Sequence, residues 1–425
     1  MQKTLQSFLR NYLRILAHLQ IQKFKFISRL KKQQFTIVAL TGSAGKTSTI
    51  QACEAALQDN FKVKTNKNYN SEFGLPANIL DFKLDDYSPA SWAKIFFLSP
   101  LRLLTKFSPP EIYLMEMDVD GPHEPSNISY LLRIVQPDIG IHLNTSTVHT
   151  QNFDALISKH KSGLSRTEYA KRLMCREQSV LTRSLNKNQT AIINPDDPLV
   201  WQTQKNIKAK IIPIVKVKIN FKNYALPSVY ETTFGTAIAL SSLFNIPEKQ
   251  ATKNIQKNFS LPPSRASLFT GKNNSKIIDG TYNSSPQPAY EFLKLLSSYS
   301  DTRKIAILGD MRELGHQSAF EHKRLAKLAV SSADIILTTG PETKKYFPKS
   351  KNIHKFLYYW QVIDFIQNSK FQIQDSTILV KGSQNTIYLE EVVKALLKNP
   401  SDTKNLCRQS PYWLKIKEKF KKKNS

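Results

Sequence analysis

The chain has 425 residues, which at about 150 residues per domain implies two or three separate cores and excludes a peptide hormone or a single small module. Hydrophobic residues make up 40% and charged residues 22%, ordinary globular usage, and no apolar run approaches the roughly 20 residues of a bilayer crossing, so a water-soluble chain is expected. Lys and Arg number 61 against 33 Asp and Glu, a net charge of +28, while Cys53, Cys175 and Cys407 are too few and too scattered for a disulfide framework or zinc knuckle.

The positive charge is concentrated at the ends. The first 34 residues hold eight basic and no acidic side chains, and Lys415 to Ser425 holds six lysines against Glu418. Such a field suits phosphorylated substrates, a membrane surface or nucleic acid, although a general habit of Lys, Asn and Ile usage accounts for part of it. Only 13 glycines are present, so each is expected where a side chain is not tolerated.

In chain order, Leu5, Phe8, Leu9, Tyr12, Leu13, Leu16 and Leu19 recur at helical steps, predicting a basic amphipathic helix whose arginines rule out a signal peptide. A buried strand is predicted over Phe35 to Leu40, then a tight turn from Thr41 to Gly45 and a helix from Lys46 to Leu57. Further strands are expected at Ile112–Met115, Ile139–Leu143, Thr190–Ile193 and Ile211–Val215, with a helix over Phe234–Phe244. Leu261-Pro262-Pro263-Ser264 reads as a linker, because paired prolines suit neither helix nor strand. The pattern then restarts with strands Lys276–Asp279, Lys304–Leu308, Asp334–Thr338 and Thr377–Val380, and helices near Ala289–Leu296, through Leu325 and over Leu389–Leu397. The expectation is an α/β protein: a P-loop central domain with a doubly wound, mostly parallel sheet, then a smaller Rossmann-like α/β domain. The expected boundaries are a helical segment 1–34, an ATP-binding domain 35–263, a C-terminal domain 264–405 and a basic tail 406–425, the tail expected to be solvated and disordered.

The strongest local signal is Thr41-Gly42-Ser43-Ala44-Gly45-Lys46-Thr47-Ser48 between strand and helix. Gly42 and Gly45 let backbone amides wrap phosphate oxygens, Lys46 reaches the terminal phosphates and Thr47 offers a hydroxyl to Mg²⁺, with Ser43, Ala44 and Ser48 completing the cradle, so ATP is the natural ligand. Leu40 stands where the strict P-loop pattern has its first glycine.

That shortened form resembles the Mur ligases, which join amino acids or peptides to cell-wall precursors. Thr65 to Pro76, Asp279-Gly280-Thr281-Tyr282-Asn283-Ser284-Ser285-Pro286, Leu308 to Gly315 with His322, and Val380-Lys381-Gly382-Ser383 resemble further motifs of that family in the same order. The resemblance spans roughly Phe35 to Leu397 and lies nearest the branch that adds D-Ala-D-Ala. It implies a carboxylate activated by ATP as an acyl phosphate and displaced by an amine, with a UDP-linked muramoyl peptide and D-Ala-D-Ala as substrates in the cytoplasm. Glu116 and His149 then correspond to groups near magnesium, beside Thr47, and Lys46, Glu116 and His149 are the catalytic candidates. Arg265, Asp279, Tyr282 and Asn283 correspond to nucleotide contacts. Asn68, Asn70, Lys381 and Ser383 are candidates for substrate contact.

The sequence also departs from the family. Gln178, in Arg176-Glu177-Gln178-Ser179, stands where the family carries a carbamylated lysine, and an amide cannot form that carbamate. Asp118 replaces a glycine, and Thr233 falls where an adenine-contacting asparagine is usual. The family's UDP-gripping domain has no counterpart in the 34 residues before the first strand, which one helix cannot replace. A different anionic acceptor, or another amine, is therefore a second expectation. The helix is expected to dock on the body, with contact at the inner membrane face as its alternative role. A third reading makes the chain a nucleotide-responsive module on membrane or polyanion with decayed chemistry; nucleic acid is the less favoured partner.

Overall fold

A computed structural model describes residues 2–66, 69–82, 88–146, 153, 156, 163–300, 302–312, 314–368, 371–383 and 385–424. The chain forms two compact units, Met1–Ile219 with Glu231–Phe259, and Asn220–Tyr230 with Ser260–Ser425.

The first unit is built on six strands: β1 (Thr36–Thr41), β2 (Val63–Thr65), β3 (Ile112–Glu116), β4 (Ile139–His142), β5 (Thr190–Ile193) and β6 (Lys210–Pro213). Their order is β2-β3-β1-β4-β5-β6, all parallel. The central strands β3 and β4 are buried at every residue, as their continuous apolar runs require of strands covered on both faces. The order reverses around β1, so the carboxyl ends of β1, β3 and β4 open where open α/β sheets place their ligands. The short edge strand β2, half-buried with Lys64 at its centre, escaped the sequence reading because its pattern is too brief.

Helix α1 (Gln2–Leu30) extends well beyond the expected Leu5–Leu19 and belongs to this unit, correcting the separate 1–34 segment. Leu13, Ala17, Ile21 and Phe24 are fully or almost fully buried, and the first three join Ile37, Ala39 and Tyr113 in one core. Four such side chains at steps of four and three bind the helix to the body by burial, each worth about 1.5 to 3 kcal/mol when large and fully enclosed.

The second unit carries β7 (Ser267–Thr270), β8 (Lys276–Asp279), β9 (Arg303–Gly309), β10 (Ile335–Thr339), β11 (Ile353–Phe356) and β12 (Ser376–Lys381), in the order β11-β10-β9-β12-β8-β7. Only β7 runs antiparallel to its neighbour. Alternation along each strand splits the interior into two cores. Ile278, Ala306, Leu308 and Leu379 meet Ala289, Leu293 and Leu325 on one face, while Ile277, Ile305, Ile307 and Ile378 meet Val362, Val392 and Leu396 on the other.

Two boundaries differ from expectation. Asn220–Tyr230 joins the second unit, where the Ala225 amide donates to the Ala266 carbonyl at 2.9 Å. The presumed basic tail is a helix, Pro411–Asn424, whose Trp413, Ile416 and Phe420 pack on the second core. Its lysine run hid a three-and-four-residue apolar spacing. Among the described residues no helix is long and apolar enough to cross a membrane.

Candidate active site

The turn from Thr41 to Lys46 joins β1 to helix α2 (Lys46–Leu57). Gly42 has φ 155° and a Cβ there would lie 3.0 Å from the Leu143 Cβ; Gly45 has φ 79°. Other residues rarely adopt such backbone, so these two glycines hold the loop open. The loop is tied to the strand-end segment after β4. The Ser43 amide donates to the Asn144 carbonyl at 3.0 Å, the Ala44 amide to Asn144 Oδ1 at 2.9 Å, and Asn144 Nδ2 returns a bond to the Ala44 carbonyl at 2.9 Å. Ala44, Gly45 and Thr47 are exposed and Ser43 and Ser48 half-buried, which leaves the mouth of α2 and its unpaired amides facing outward.

Lys46 is nearly buried, its Nζ 2.9 Å from the Gly42 carbonyl and 3.0 Å from Asp118 Oδ1. Thr47 Oγ1 donates to Glu116 Oε2 at 3.0 Å. Asn70 Nδ2 spans Glu116 Oε1 at 3.3 Å and Asp118 Oδ2 at 3.0 Å. Behind them Asn66, fully buried, donates to the Glu116 carbonyl at 2.9 Å and accepts from its amide at 2.7 Å, fixing the end of β3. Burial raises the Glu116 carboxyl above the usual range, with Lys46 and the Thr47 hydroxyl acting in the opposite direction. The structure thus brings together Gly42, Lys46, Thr47, Glu116 and Asn70. Thr47, Glu116 and Asp118 supply hard oxygens of the kind Mg²⁺ takes, next to a helix N-terminus suited to phosphate.

Gln178 closes the other side of the loop. It is 2% exposed; its Nε2 donates to Ser43 Oγ at 3.1 Å, and its Oε1 accepts from Thr145 Oγ1 at 2.8 Å and lies 3.3 Å from His142 Nε2. Burial pushes the His142 imidazole down to about 4, so it is neutral at pH 7 and donates from Nε2. The Thr145 amide in turn bonds Asp197 Oδ2 at 2.7 Å, and Asp197 caps the helix Pro198–Gln202. His149 and Asn68 lie outside the described residues. Asp118, Asn66, Asn144, His142 and Asp197 were missed as site residues. Asn66 stood inside the Thr65 to Pro76 motif, whereas nothing local marked His142 or Asp197. Thr233 lies 3.4 Å from Thr49, a contact between hydroxyls within the core.

In the second unit, Arg265 is exposed and its guanidinium stacks 4.4 Å over the Tyr282 ring. Ser264 and Ala266 on either side have φ 61° and 68°, strained values for side-chain-bearing residues. The Tyr282 amide and Ser264 carbonyl at 3.1 Å, and the Cys407 amide and Ser264 Oγ at 3.0 Å, hold that turn. Tyr282 and Asn283 are exposed, as nucleotide contacts require. Asp279 is not: it is fully buried, its Oδ1 accepting from the Thr281 amide at 2.9 Å and hydroxyl at 2.7 Å, and burial raises its carboxyl above the usual range. It organises the Thr281 turn through Oδ1, while Oδ2 has no hydrogen-bond partner among the described residues. Lys381 and Ser383 are likewise enclosed. Lys381 Nζ donates to the carbonyls of Gly280, at 3.0 Å, and Asn283, and burial pushes it down to about 7. Lys381 lies at the end of β12, which is buried along its whole length, and Ser383, two residues beyond it, is enclosed as well, so neither of these expected substrate contacts is exposed. The Asp310 carboxylate accepts from the amides of Glu342 at 3.0 Å and Thr343 at 2.7 Å, so the Leu308–Gly315 motif builds a helix start.

Comparison with known proteins extends these observations. Residues 264–384 match the family described as Mur ligase, glutamate ligase domain. The chain is 27% identical over 408 residues to the UDP-N-acetylmuramoyl-tripeptide–D-alanyl-D-alanine ligase of Buchnera aphidicola subsp. Acyrthosiphon pisum, covering 89% of this chain and 79% of that one. The Escherichia coli ligase of the same name is 23% identical over 394 residues, covering 85% and 77%. Among solved structures, MurF from Acinetobacter baumannii superposes with a TM-score of 0.64 at 19% identity, covering 92% of this chain and 81% of that one. MurF ligase from Thermotoga maritima in complex with ADP gives 0.61 at 19% identity, covering 90% and 83%. At that identity the likeness speaks to the fold, two α/β units with largely parallel sheets. Residues 264–384 thus match the Mur ligase glutamate ligase domain, and the chain around them resembles the Mur ligases along most of its length.

Proposed function

We propose that the chain is an ATP-dependent amide ligase of cell-wall precursor synthesis that joins D-Ala-D-Ala to a UDP-linked muramoyl tripeptide. The observation that carries this reading is the cluster at the ends of β1 and β3: an open glycine loop, a near-buried lysine, and the Thr47 hydroxyl 3.0 Å from the Glu116 carboxylate. The reaction must bring two anions together, the tripeptide carboxylate and the γ-phosphate of ATP. Lys46 and the amides at the start of α2 offset that repulsion. The carboxylate oxygen attacks the γ-phosphorus, ADP departs, and an acyl phosphate forms. The amine of D-Ala-D-Ala then attacks the acyl carbon, phosphate leaves with the bonding pair, and the amine gives up a proton. Mg²⁺, which Thr47 and Glu116 would hold with Asp118 nearby, supplies neutralisation of phosphate charge when bound.

Arg265, with Tyr282 beneath it and Asn283 beside it, is proposed as the nucleotide contact of the second unit. Gln178 in place of a carbamylated lysine puts a neutral amide beside Ser43, so this reading rests on one metal site. The chain works in the cytoplasm, at the inner face of the membrane.

The test is phosphate release from ATP by the purified protein. Release should require both the UDP-linked tripeptide and D-Ala-D-Ala, and Lys46→Ala should lower it by about a hundredfold or more. Equal release without either cosubstrate sinks the proposal.

A further inference from the structure

We propose that α1 and the helix Pro89–Thr105 form one surface that docks on an anionic lipid bilayer. The inference rests on the membrane placement proposed above and not on the ligase chemistry.

Helix α1 is apolar on two opposite sides. Leu13, Ala17, Ile21 and Phe24 face the core, whereas Phe8, Ile15, Leu19, Phe26 and Leu30, at steps of seven and four, form an exposed stripe. A helix in the body of a protein needs only the first. At 1.5 Å per residue the stripe runs about 33 Å. The neighbouring helix repeats the pattern: Ile95 and Ser99 are buried, while Phe97, Leu101 and Leu104 are exposed, Phe97 at 74%. The two helices are joined side by side. Tyr12 OH donates to the Phe96 carbonyl at 3.0 Å, Gln20 Nε2 to the Lys106 carbonyl at 3.1 Å, and Lys23 lies 4.3 Å over the Phe107 ring. With Phe107 itself 57% exposed, nine large apolar side chains face outward on one helix pair. Isolated exposed apolar residues are ordinary, but nine of them on two adjoining helices and the turn after the second mark an interaction surface.

Charge selects the occupant. Neither helix contains an Asp or Glu, and the first acidic residue in the chain is Glu54. Arg29, Lys31 and Lys32 are exposed at the end of α1 and Lys94 on its neighbour. The Asp81 carboxylate nearby is already paired with Lys64 at 3.1 Å and Lys106 at 2.7 Å. A second copy of the chain would set these cations against themselves, and nucleic acid has no use for the apolar stripes. An acidic bilayer satisfies both features, the stripes entering the acyl boundary and the cations meeting headgroups.

The experiment sediments the full chain with vesicles of phosphatidylcholine alone or with about 30 mol% phosphatidylglycerol. The mixed vesicles should bind at least about tenfold more tightly. Leu101→Glu with Leu104→Glu should lose about tenfold, and Arg29→Glu with Lys94→Glu should lose the preference for anionic lipid while circular dichroism stays unchanged. No binding to mixed vesicles overturns the proposal. So does binding that salt abolishes but the leucine changes leave intact, which would mark a general polyanion attraction. A dimer of the unaltered chain that the leucine changes dissociate, without vesicle binding, assigns the surface to a second copy instead. Phosphate release, assayed separately without vesicles, reports on the ligase reading independently.

Discussion

Asp118 holds the loop lysine in the structure. Its carboxylate sits 3.0 Å from Lys46 Nζ, with side chains 9% and 21% exposed, and Asn70 steadies its other oxygen. A terminal phosphate must draw Lys46 away from this partner or share it, so the pair opposes nucleotide entry unless Asp118 turns to the metal. Asp118→Asn keeps the shape and the Asn70 neighbour while removing the charge. Calorimetric titration with MgATP should show the variant binding about fivefold more tightly, equivalent to roughly 1 kcal/mol for a partly exposed pair. Weaker binding would instead place Asp118 among the metal's ligands. Gln178 illustrates the same scale from the other side. Its neutral amide serves by geometry, linking Ser43 to Thr145.

Among the elements, the C-terminal helix Pro411–Asn424 departs furthest from expectation. Glu390 is wholly buried and receives Arg408 at 2.8 Å and Lys417 at 2.9 Å, while Lys417 also bonds Glu391. Arg408, just ahead of the helix, additionally donates to the Thr281 carbonyl at 2.7 Å and the Tyr282 carbonyl at 3.1 Å, so the segment leading into the helix reaches the turn beneath Arg265. Removing residues after Asn405 would strand a buried carboxylate and uncover the apolar face that Trp413 and Phe420 pack against. The deletion should destabilise the second unit by about 3 to 5 kcal/mol, read in a urea melt. An unchanged midpoint would return the helix to the status of a solvated tail. The edge strands β7 and β11 were also missed, being short and, in β11, interrupted by His354 and Lys355.

For the whole molecule, two units with separate cores predict unfolding in more than one step. Scanning calorimetry should resolve two transitions, and the C-terminal deletion should lower one of them. A single transition with equal calorimetric and van't Hoff enthalpies would refute the separation. The central strands and helices such as Lys46–Leu57 and Pro286–Ser297 were legible because buried parallel strands are written as continuous apolar runs between helical spacings, and glycine scarcity made the Gly42–Gly45 turn stand out; the helices Pro89–Thr105, Arg166–Gln178, Glu248–Asn258 and Tyr359–Asn368 were not named. The resemblance drew Glu116 and Thr47 together before any coordinates. What sequence spacing lacks is distance between remote segments. The meeting of Gln178 with Ser43 follows from β4 lying beside β1. The enclosure of Asp279 and Lys381 follows from their place at the ends of β8 and β12, interior strands of their sheet. The doubled apolar faces of α1 looked like one until the core claimed Leu13 and Phe24 and left Phe8 and Phe26 outside. By itself the sequence determined the local bends, the strand runs and the phosphate loop, because these depend on neighbours in the chain. Strand order and side-chain enclosure decided which of the named residues face a ligand, because those depend on which remote segments pack together.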